Sequence, residues 1–461
     1  MIQILLHPNS RLQLAWNCAQ IGLLIFPLIP SLGALGIFLA IVLTWRLKYR
    51  QIILRPLNWG LGLLSIWLAV ASYFAFDRVS AFLGLFNFLP FFIFFAAFST
   101  LIQTPAQLRR LAKIIVITSI PVIILGLGQL FFGWATLVQL QGILGWHLQA
   151  LGNPPGRMAS VFMYANVLAG YLAICFILAL GLWIEHNYNL RSSRTDTADH
   201  VPTFYISRLQ SHRHTPLLFL SLAVIGNLVA LILTNSRNAW MIAVCASLAF
   251  AIYQGWRWLV AGVCAIAVTI ILAAFAPSPI NKLLRVVVPT FFWARLTDQF
   301  YPNRPLPLLR TTQWQFAWSL TQQRPITGWG LRNFTLLYQN QMQVWLGHPH
   351  NFFLMLSAET GIAAIFFCGW VGWILFQAVQ LLRNWQFASA TSNRQITSDK
   401  IIFFSYLIAF FACILFNIVD VTIFDLRLNT LGWLLLSAIW GVVYQSHKQQ
   451  SNQLTKKDNY I

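Results

Sequence analysis

Apolar stretches of roughly 17 to 25 residues alternate with short polar segments along most of this chain. Each stretch has about the length that a helix needs to cross the hydrocarbon core of a bilayer. We therefore predict an all-α fold, a polytopic membrane protein of about 12 transmembrane helices. The predicted spans are 12–28, 30–45, 57–75, 79–99, 113–132, 161–184, 216–234, 238–254, 258–276, 351–381, 401–419 and 428–444.

The longest polar segment, from 277 to 349, separates the ninth predicted span from the tenth. It divides the chain into a membrane domain of nine spans (1–276), a large loop (277–349), a membrane domain of three spans (350–446) and a tail (447–461). The segment 185–214 lacks periodicity and is expected to be a flexible connector. The polar tail is expected to be disordered.

Composition and charge agree with a membrane protein. The chain is 58% hydrophobic and 9% charged, whereas about a quarter of residues are charged in ordinary globular domains. The net charge of +20 would suggest nucleic acid in a soluble protein, but nineteen of the 30 lysine and arginine residues fall in alternate loops and at the termini. Short basic loops stay cytoplasmic, so we predict cytoplasmic termini, an extracytoplasmic loop 277–349 and no nucleic-acid partner.

Metal and disulfide sites are not expected. The six cysteines lie in apolar stretches without CxxC spacing. The outward acidic residues lack the paired spacing that holds Mg²⁺ near a diphosphate, although distant residues could still converge. Arginine is plentiful on the outward side instead, and its donors match phosphate oxygens. The outward arginines are Arg157, Arg237, Arg285, Arg295, Arg304, Arg310, Arg324 and Arg332.

Arg237 is a candidate catalytic residue, and Arg157 and Asn166 are candidate substrate-binding residues. Arg237 lies between two spans with almost no loop, where a cation is costly unless it is paired or functional. The alternative is a snorkelling arginine at the interface. Arg157 lies in a turn-rich loop and could equally be a solvated charge. Asn166, early in the following span, could donate to a substrate or bind a neighbouring helix.

His350 is the candidate general base. Imidazole has the resting pKa that suits proton transfer near neutral pH, and His350 stands where the arginine-rich loop meets an apolar helix. An isolated interfacial histidine is more often structural. His348 is a candidate helper. Glu359 would lie about 13 Å deeper on the same helix, and we expect it to pair with another span.

Three motifs resemble the O-antigen ligase/Wzy polymerase superfamily of bacterial membrane glycosyltransferases. They are Ser236-Arg237-Asn-Ala-Trp240, Arg310-x7-Trp318-x6-Pro325-x2-Gly328-x-Gly330, and His350-Asn351-x2-Leu354-x4-Glu359-x-Gly361. The resemblance covers about residues 150–370. The family often has Asn-Pro-Asn after the first arginine, where this chain has Tyr164-Ala165-Asn166, and the donor-side role of Arg157 and Asn166 depends on that segment.

The resemblance implies an inverting, metal-independent glycosyltransferase without a cofactor, at the periplasmic face of the bacterial inner membrane. The donor would be a glycan on undecaprenyl diphosphate, and the acceptor a hydroxyl of lipid A-core or of another lipid-linked glycan. Arg237, with Arg157 and Arg310, would bind the diphosphate, and His350 would take the acceptor's proton. The spans would leave a lateral opening for the lipid.

Three other functions remain open from the sequence. A Wzy-type polymerase differs from a ligase only in its acceptor. A bicarbonate or other anion transporter would need polar residues near mid-membrane in several spans, and few are found. A non-catalytic scaffold for envelope glycan assembly would tolerate replacement of His350.

Overall fold

The computed structural model describes residues 6–197, 203–297, 305–385 and 393–458. Arg304 and the side chain of Arg295 lie outside that description. Secondary structure in the described residues is helical. The α-helices are α1 Gln13–Ile25, α2 Pro30–Ile53, α3 Pro56–Tyr73, α4 Arg78–Gly84, α5 Leu89–Leu101, α6 Pro105–Phe131, α7 Val138–Leu144, α8 Ala165–Thr197, α9 Thr203–Leu233, α10 Arg237–Tyr253, α11 Arg257–Phe275, α12 Ile280–Val287, α13 Thr290–Leu296, α14 Arg310–Gln323, α15 Asn333–Met342, α16 Phe352–Thr360, α17 Ile362–Arg383, α18 Asn393–Val419 and α19 Leu426–Asp458.

The polytopic all-α fold is confirmed. Within the described residues, nine helical segments are long and apolar enough to cross a membrane. Every predicted span overlaps a helix, although 79–99 covers both α4 and α5 and 351–381 covers both α16 and α17. Three spans, on α1, α3 and α10, fall on shorter or less apolar helices. The apolar parts of α8 and α19 lie at the centre of the bundle and are almost entirely buried. Most residues of α11, in contrast, are exposed at the surface of the bundle.

Two sequence predictions about polar segments are wrong. The connector 185–214 is helical on both sides of residues 198–202, because α8 runs on to Thr197 and α9 begins at Thr203. The tail is also helical as far as Asp458. Both segments extend long apolar helices whose packed parts have already formed the costly first turn, so each further turn adds hydrogen bonds cheaply.

The predicted tenth span is two helices. α16 ends at Thr360, Gly361 takes a φ of +58°, and α17 starts at Ile362. α16 packs against α14 and α15 of the large loop, and Ala358 joins a small core formed by Phe316, Leu320, Phe334 and Tyr338. This loop domain, α14 to α16, is therefore a packed unit at one end of the bundle, and α17 alone is the membrane-spanning part.

Glycines let the loop domain close on itself. A Cβ atom at Gly328 would lie 2.4 Å from the carbonyl carbon of Glu359, and one at Gly361 would lie 2.4 Å from the carbonyl oxygen of Ile326. Backbone bonds tie the two segments together, from Trp329 N–H to the Ala358 carbonyl (3.0 Å) and from Gly330 N–H to the Glu359 carbonyl (2.9 Å). The second and third sequence motifs thus form one docking seam.

Glu359 pairs with this loop domain and not with another span, so that prediction is wrong. Its Oε1 accepts a hydrogen bond from the backbone N–H of Phe334 (3.3 Å), in the first turn of α15. Burial raises the pKa of Glu359 to about 8, although the backbone donors of Arg332 and Phe334 oppose the shift. The carboxyl group is therefore mostly protonated at neutral pH.

Candidate active site

The loop domain holds the histidine segment 347–350 in place. Thr335 donates its hydroxyl to the Gly347 carbonyl (2.8 Å), and the Trp314 indole N–H donates to the Pro349 carbonyl (3.0 Å). Asn351 then caps α16 by accepting the Leu354 N–H (3.0 Å). Anchored on both sides, the segment turns sharply at the residue between Pro349 and Asn351.

That residue is His350, and its φ of +50° is in the left-handed region. Residues with a Cβ atom enter this region at a cost of about 1–2 kcal/mol. His350 is therefore not part of the helix that follows it. The prediction that His350 and Glu359 lie on the same helix is wrong, because α16 begins only at Phe352.

Asp420 meets both histidines. It directly follows α18, and its Oδ1 lies 3.4 Å from His350 Nδ1 and 3.8 Å from His348 Nε2. Its own carboxylate also accepts the backbone N–H of Val421 (2.9 Å). Burial would raise the pKa of Asp420, but the hydrogen bond from His350 and the nearby imidazoles lower it below its ordinary value. Asp420 is thus a carboxylate fixed beside two imidazoles.

The hydrogen bonds place the ring proton on different nitrogens in the two histidines. The backbone N–H of His350 donates to His348 Nδ1 (3.2 Å). A neutral His348 therefore carries its ring proton on Nε2, which faces Asp420. Burial lowers the pKa of His348 to about 4, with help from the charges of His350 and Arg310, so His348 is neutral at pH 7. His350 faces the carboxylate with Nδ1, which places its proton there and leaves Nε2 as the basic nitrogen.

Arg157 and Asn166 extend the network on the other side of Asp420. Arg157 Nη2 donates to Asn166 Oδ1 (2.6 Å), and Asn166 Nδ2 donates to Asp420 Oδ2 (3.1 Å). Arg157 Nε also donates to the Thr234 carbonyl (2.8 Å), in the turn before α10. An unbroken chain of hydrogen bonds therefore joins the loops before α8 and α10 to the histidine segment.

The two remaining arginines stand at helix starts near this network. Arg237 begins α10, three residues after Thr234, and its side chain is exposed. Arg310 begins α14, and its positive charge acts on the His348 ring. The structure thus brings His348, His350, Arg157 and Asn166 together around Asp420. It puts Arg310 within electrostatic range of His348 and places Arg237 in the turn that Arg157 contacts through Thr234.

Asp420 is the residue that the sequence analysis missed. Asp420 and His350 are 70 positions apart and belong to different helices, so no local motif connects them. The sequence did contain a signal, because Asp420 is one of only ten acidic residues in the chain and lies at the end of a long apolar stretch that the loop charges predict to face outward. A carboxylate there is costly unless it has a partner.

The same trio could hold a metal ion. One ligand atom each from His348, His350 and Asp420 lies within 4.8 Å of the others. A metal would need the lone pair of one ring nitrogen of His348, and the Nδ1 lone pair already accepts the backbone N–H of His350. Metal binding through Nδ1 would displace this hydrogen bond, and binding through Nε2 would move the ring proton to Nδ1 and break it as well.

An apolar pocket of about 320 Å³ lies beside the network. Phe352 and Phe353, which follow the histidine segment, line it together with residues of α8, α17, α18 and α19. Its polar lining residues include Asn417 and Thr422, which hydrogen-bond each other (3.0 Å) on either side of Asp420 in sequence. A ligand with an apolar chain and a polar head could therefore place its head near the two imidazoles.

Comparison with known proteins gives one family match. No curated protein matches the chain. The family described as O-antigen ligase matches residues 220–369, which include Arg237, Arg310, His348 and His350 but not Arg157 or Asp420. Residues 220–369 therefore match the O-antigen ligase family model, and this match confirms the resemblance predicted from the motifs.

Proposed function

We propose that this protein transfers a glycan from undecaprenyl diphosphate to an acceptor hydroxyl, as an O-antigen ligase-like glycosyltransferase of the bacterial inner membrane. The family match identifies it, more coarsely, as a multi-pass membrane enzyme of O-antigen or polysaccharide assembly. The finer assignment rests on one observation: His350 and Asp420 form a pair, and each is within three residues of side chains that line an apolar pocket. This pairing suits a reaction in which a base meets a lipid-linked substrate.

In the proposed reaction, Nε2 of His350 takes the proton of the acceptor hydroxyl as its oxygen attacks the anomeric carbon of the donor glycan. The bond from that carbon to the diphosphate oxygen breaks, and undecaprenyl diphosphate leaves with the electron pair. Attack opposite to the leaving group inverts the anomeric configuration. Asp420 holds the Nδ1 proton of His350 and stabilises the imidazolium that forms.

The arginines would stabilise the leaving diphosphate. Arg237 and Arg310 each stand at the first position of a helix, where the helix dipole adds to their own positive charge. Arg157 is assigned a supporting part, since it holds Asn166 and, through it, Asp420. The charge that develops on the diphosphate would thus be balanced by guanidinium groups, in a reaction that needs no metal ion.

The test is glycan transfer in vesicles from a lipid-diphosphate donor, with and without EDTA. We expect glycan transfer by the wild-type protein to be unaffected by EDTA. The His350→Ala variant should lose nearly all of its transfer activity. His147→Ala is the matched control, since His147 is an exposed histidine in the loop between α7 and α8. Normal transfer by His350→Ala, or loss of wild-type transfer in EDTA, would contradict the proposed mechanism.

The acceptor decides between ligase and polymerase. Transfer to lipid A-core would support the ligase, and elongation of a second lipid-linked glycan would support the Wzy-type polymerase. Bicarbonate uptake into the same vesicles, without transfer to any acceptor, would instead favour the transporter.

A further inference from the structure

A second and larger cavity, of about 630 Å³, lies between α6, α8, α9 and α18. Asp399 lines it near the start of α18, whereas Asp420 follows the other end of the same helix. Their separation of 21 positions corresponds to roughly 32 Å of helix, about the thickness of a bilayer core. The cavity is therefore at the opposite face from the candidate active site, the face that the loop charges predict to be cytoplasmic.

The inner wall of this cavity is a hydrogen-bonded ion network. Arg109 pairs with Glu185 through Nε and with Asp399 through Nη2, the latter at 2.9 Å. Ser398 accepts from Arg109 (3.2 Å) and donates to Glu185 (2.6 Å). Both carboxylates are thus engaged by one guanidinium, so the network is a fixed wall and not a pair of free acidic groups.

Further cationic side chains give the cavity a net positive charge. Lys113, one helical turn after Arg109, and Arg394, at the start of α18, also line it. Arg394 is oriented by its hydrogen bond to the Asn189 carbonyl (2.6 Å). Among the lining residues, three side chains are positive and two are negative, so with a neutral histidine the cavity has an excess of one positive charge. That excess suits one phosphate group.

The remaining wall is apolar and continues onto the outer surface of the bundle. Ile117 of α6 and Phe219 of α9 line the cavity, yet they are 43% and 39% exposed. Deeper in the bundle the two helices are joined by the hydrogen bond from Asn227 to Ser119 (2.9 Å). The cavity thus has an opening between α6 and α9 that faces the acyl chains of a surrounding bilayer.

We propose that this cavity binds the head group of an anionic phospholipid from the adjacent leaflet. The phosphate would lie against Lys113 and Arg394, and an acyl chain would leave over Ile117 and Phe219. Basic pockets between transmembrane helices on the cytoplasmic side have the chemistry that anionic head groups need. A soluble phosphate would use only the charged wall, so the apolar opening is the feature that points to a lipid.

The test is native mass spectrometry of the full-length, delipidated protein with dioleoylphosphatidylglycerol or dioleoylphosphatidylcholine. We expect the anionic lipid to be retained in preference, and Lys113→Gln and Arg394→Gln each to weaken its binding about tenfold, the value of one charge-assisted contact. Arg383→Gln is the matched control, because Arg383 is an exposed cation at the corresponding end of α17 and does not line the cavity. It should leave the binding unchanged.

A further variant separates a lipid from a free anion. Ile117→Trp would narrow the opening between α6 and α9, and we expect it to weaken binding of the dioleoyl lipid but not of glycerophosphoglycerol. Equal retention of the two dioleoyl lipids, or an equal loss in Arg383→Gln, would overturn the proposal. Displacement of the lipid by inorganic phosphate at similar concentration would also overturn it, in favour of a soluble anion.

Discussion

Replacing Asp420 by asparagine removes the charge beside His350 and leaves the shape of the site. Asparagine fills nearly the same volume, and its carbonyl oxygen can still accept from Val421 N–H or from Asn166. The change therefore tests the carboxylate as an electrostatic partner of the base. We expect slower glycan transfer with a normally folded protein.

The distance sets the size of the effect. When His350 takes a proton, its Nδ1 and the Asp420 Oδ1 are opposite charges 3.4 Å apart. Coulomb's law gives about 5 kcal/mol at an effective dielectric constant of 20 and about 1 kcal/mol in water. The His350 side chain is 32% exposed, so we take about 2 to 3 kcal/mol, which corresponds to a roughly 30- to 160-fold lower rate.

The assay is initial-rate glycan transfer in vesicles at saturating donor, with thermal unfolding as the check on folding. Asp77→Asn is the control, because Asp77 caps α4 through its side chain, a role that asparagine fills equally well. A rate for Asp420→Asn above half that of wild type would refute the assigned role of the carboxylate. An equal loss in Asp77→Asn would show that the effect is not specific to Asp420.

Three further predictions concern the pocket, the buried acid and the docking seam. Gly372→Leu adds a side chain inside the apolar pocket and should raise the KM for a long-chain donor about tenfold. Gly369→Leu, on the same helix outside the pocket, should leave the KM unchanged. Equal KM values for the two variants would contradict a lipid in this pocket. Glu359 has a raised pKa, so its contribution to stability is complete below about pH 4.5 and is lost as the pH rises through about 8. The unfolding temperature of Glu359→Gln should therefore rise relative to that of wild type between pH 5 and pH 9. Parallel plots of unfolding temperature against pH would contradict burial of the acid. Gly328→Ala, at a φ of +67° and 2.4 Å from backbone, should lower the unfolding free energy by about 2 kcal/mol or more, whereas Gly62→Ala in open space should not.

The fold was largely predictable because a bilayer leaves few choices. Backbone groups in hydrocarbon must bond within their own segment, so long apolar stretches become helices. The polar segments carried no comparable constraint. The helical extension of α8 past the membrane depends on turns that the apolar part has already nucleated, which the local composition around Glu185 to Thr197 does not reveal.

The candidate site was only partly predictable for a similar reason. His350, Arg237 and Arg310 were found because they fall in recognisable motifs at predicted boundaries. Asp420 was missed because its partner is 70 positions away, and loop-to-loop contacts follow from packing and not from spacing. Glu359 was placed on the wrong partner because one continuous helix was assumed across Gly361, whose positive φ separates α16 from α17.

The docking seam changes what the motifs can diagnose. The segments around Gly328 and Glu359 are short and specific because two backbones approach too closely there for most side chains. Neither segment contributes a side chain to the proposed proton transfer. The glycine-containing parts of those two motifs therefore report on architecture. They can identify chains that assemble this loop domain, while the choice of sugar and acceptor can diverge around an unchanged docking seam.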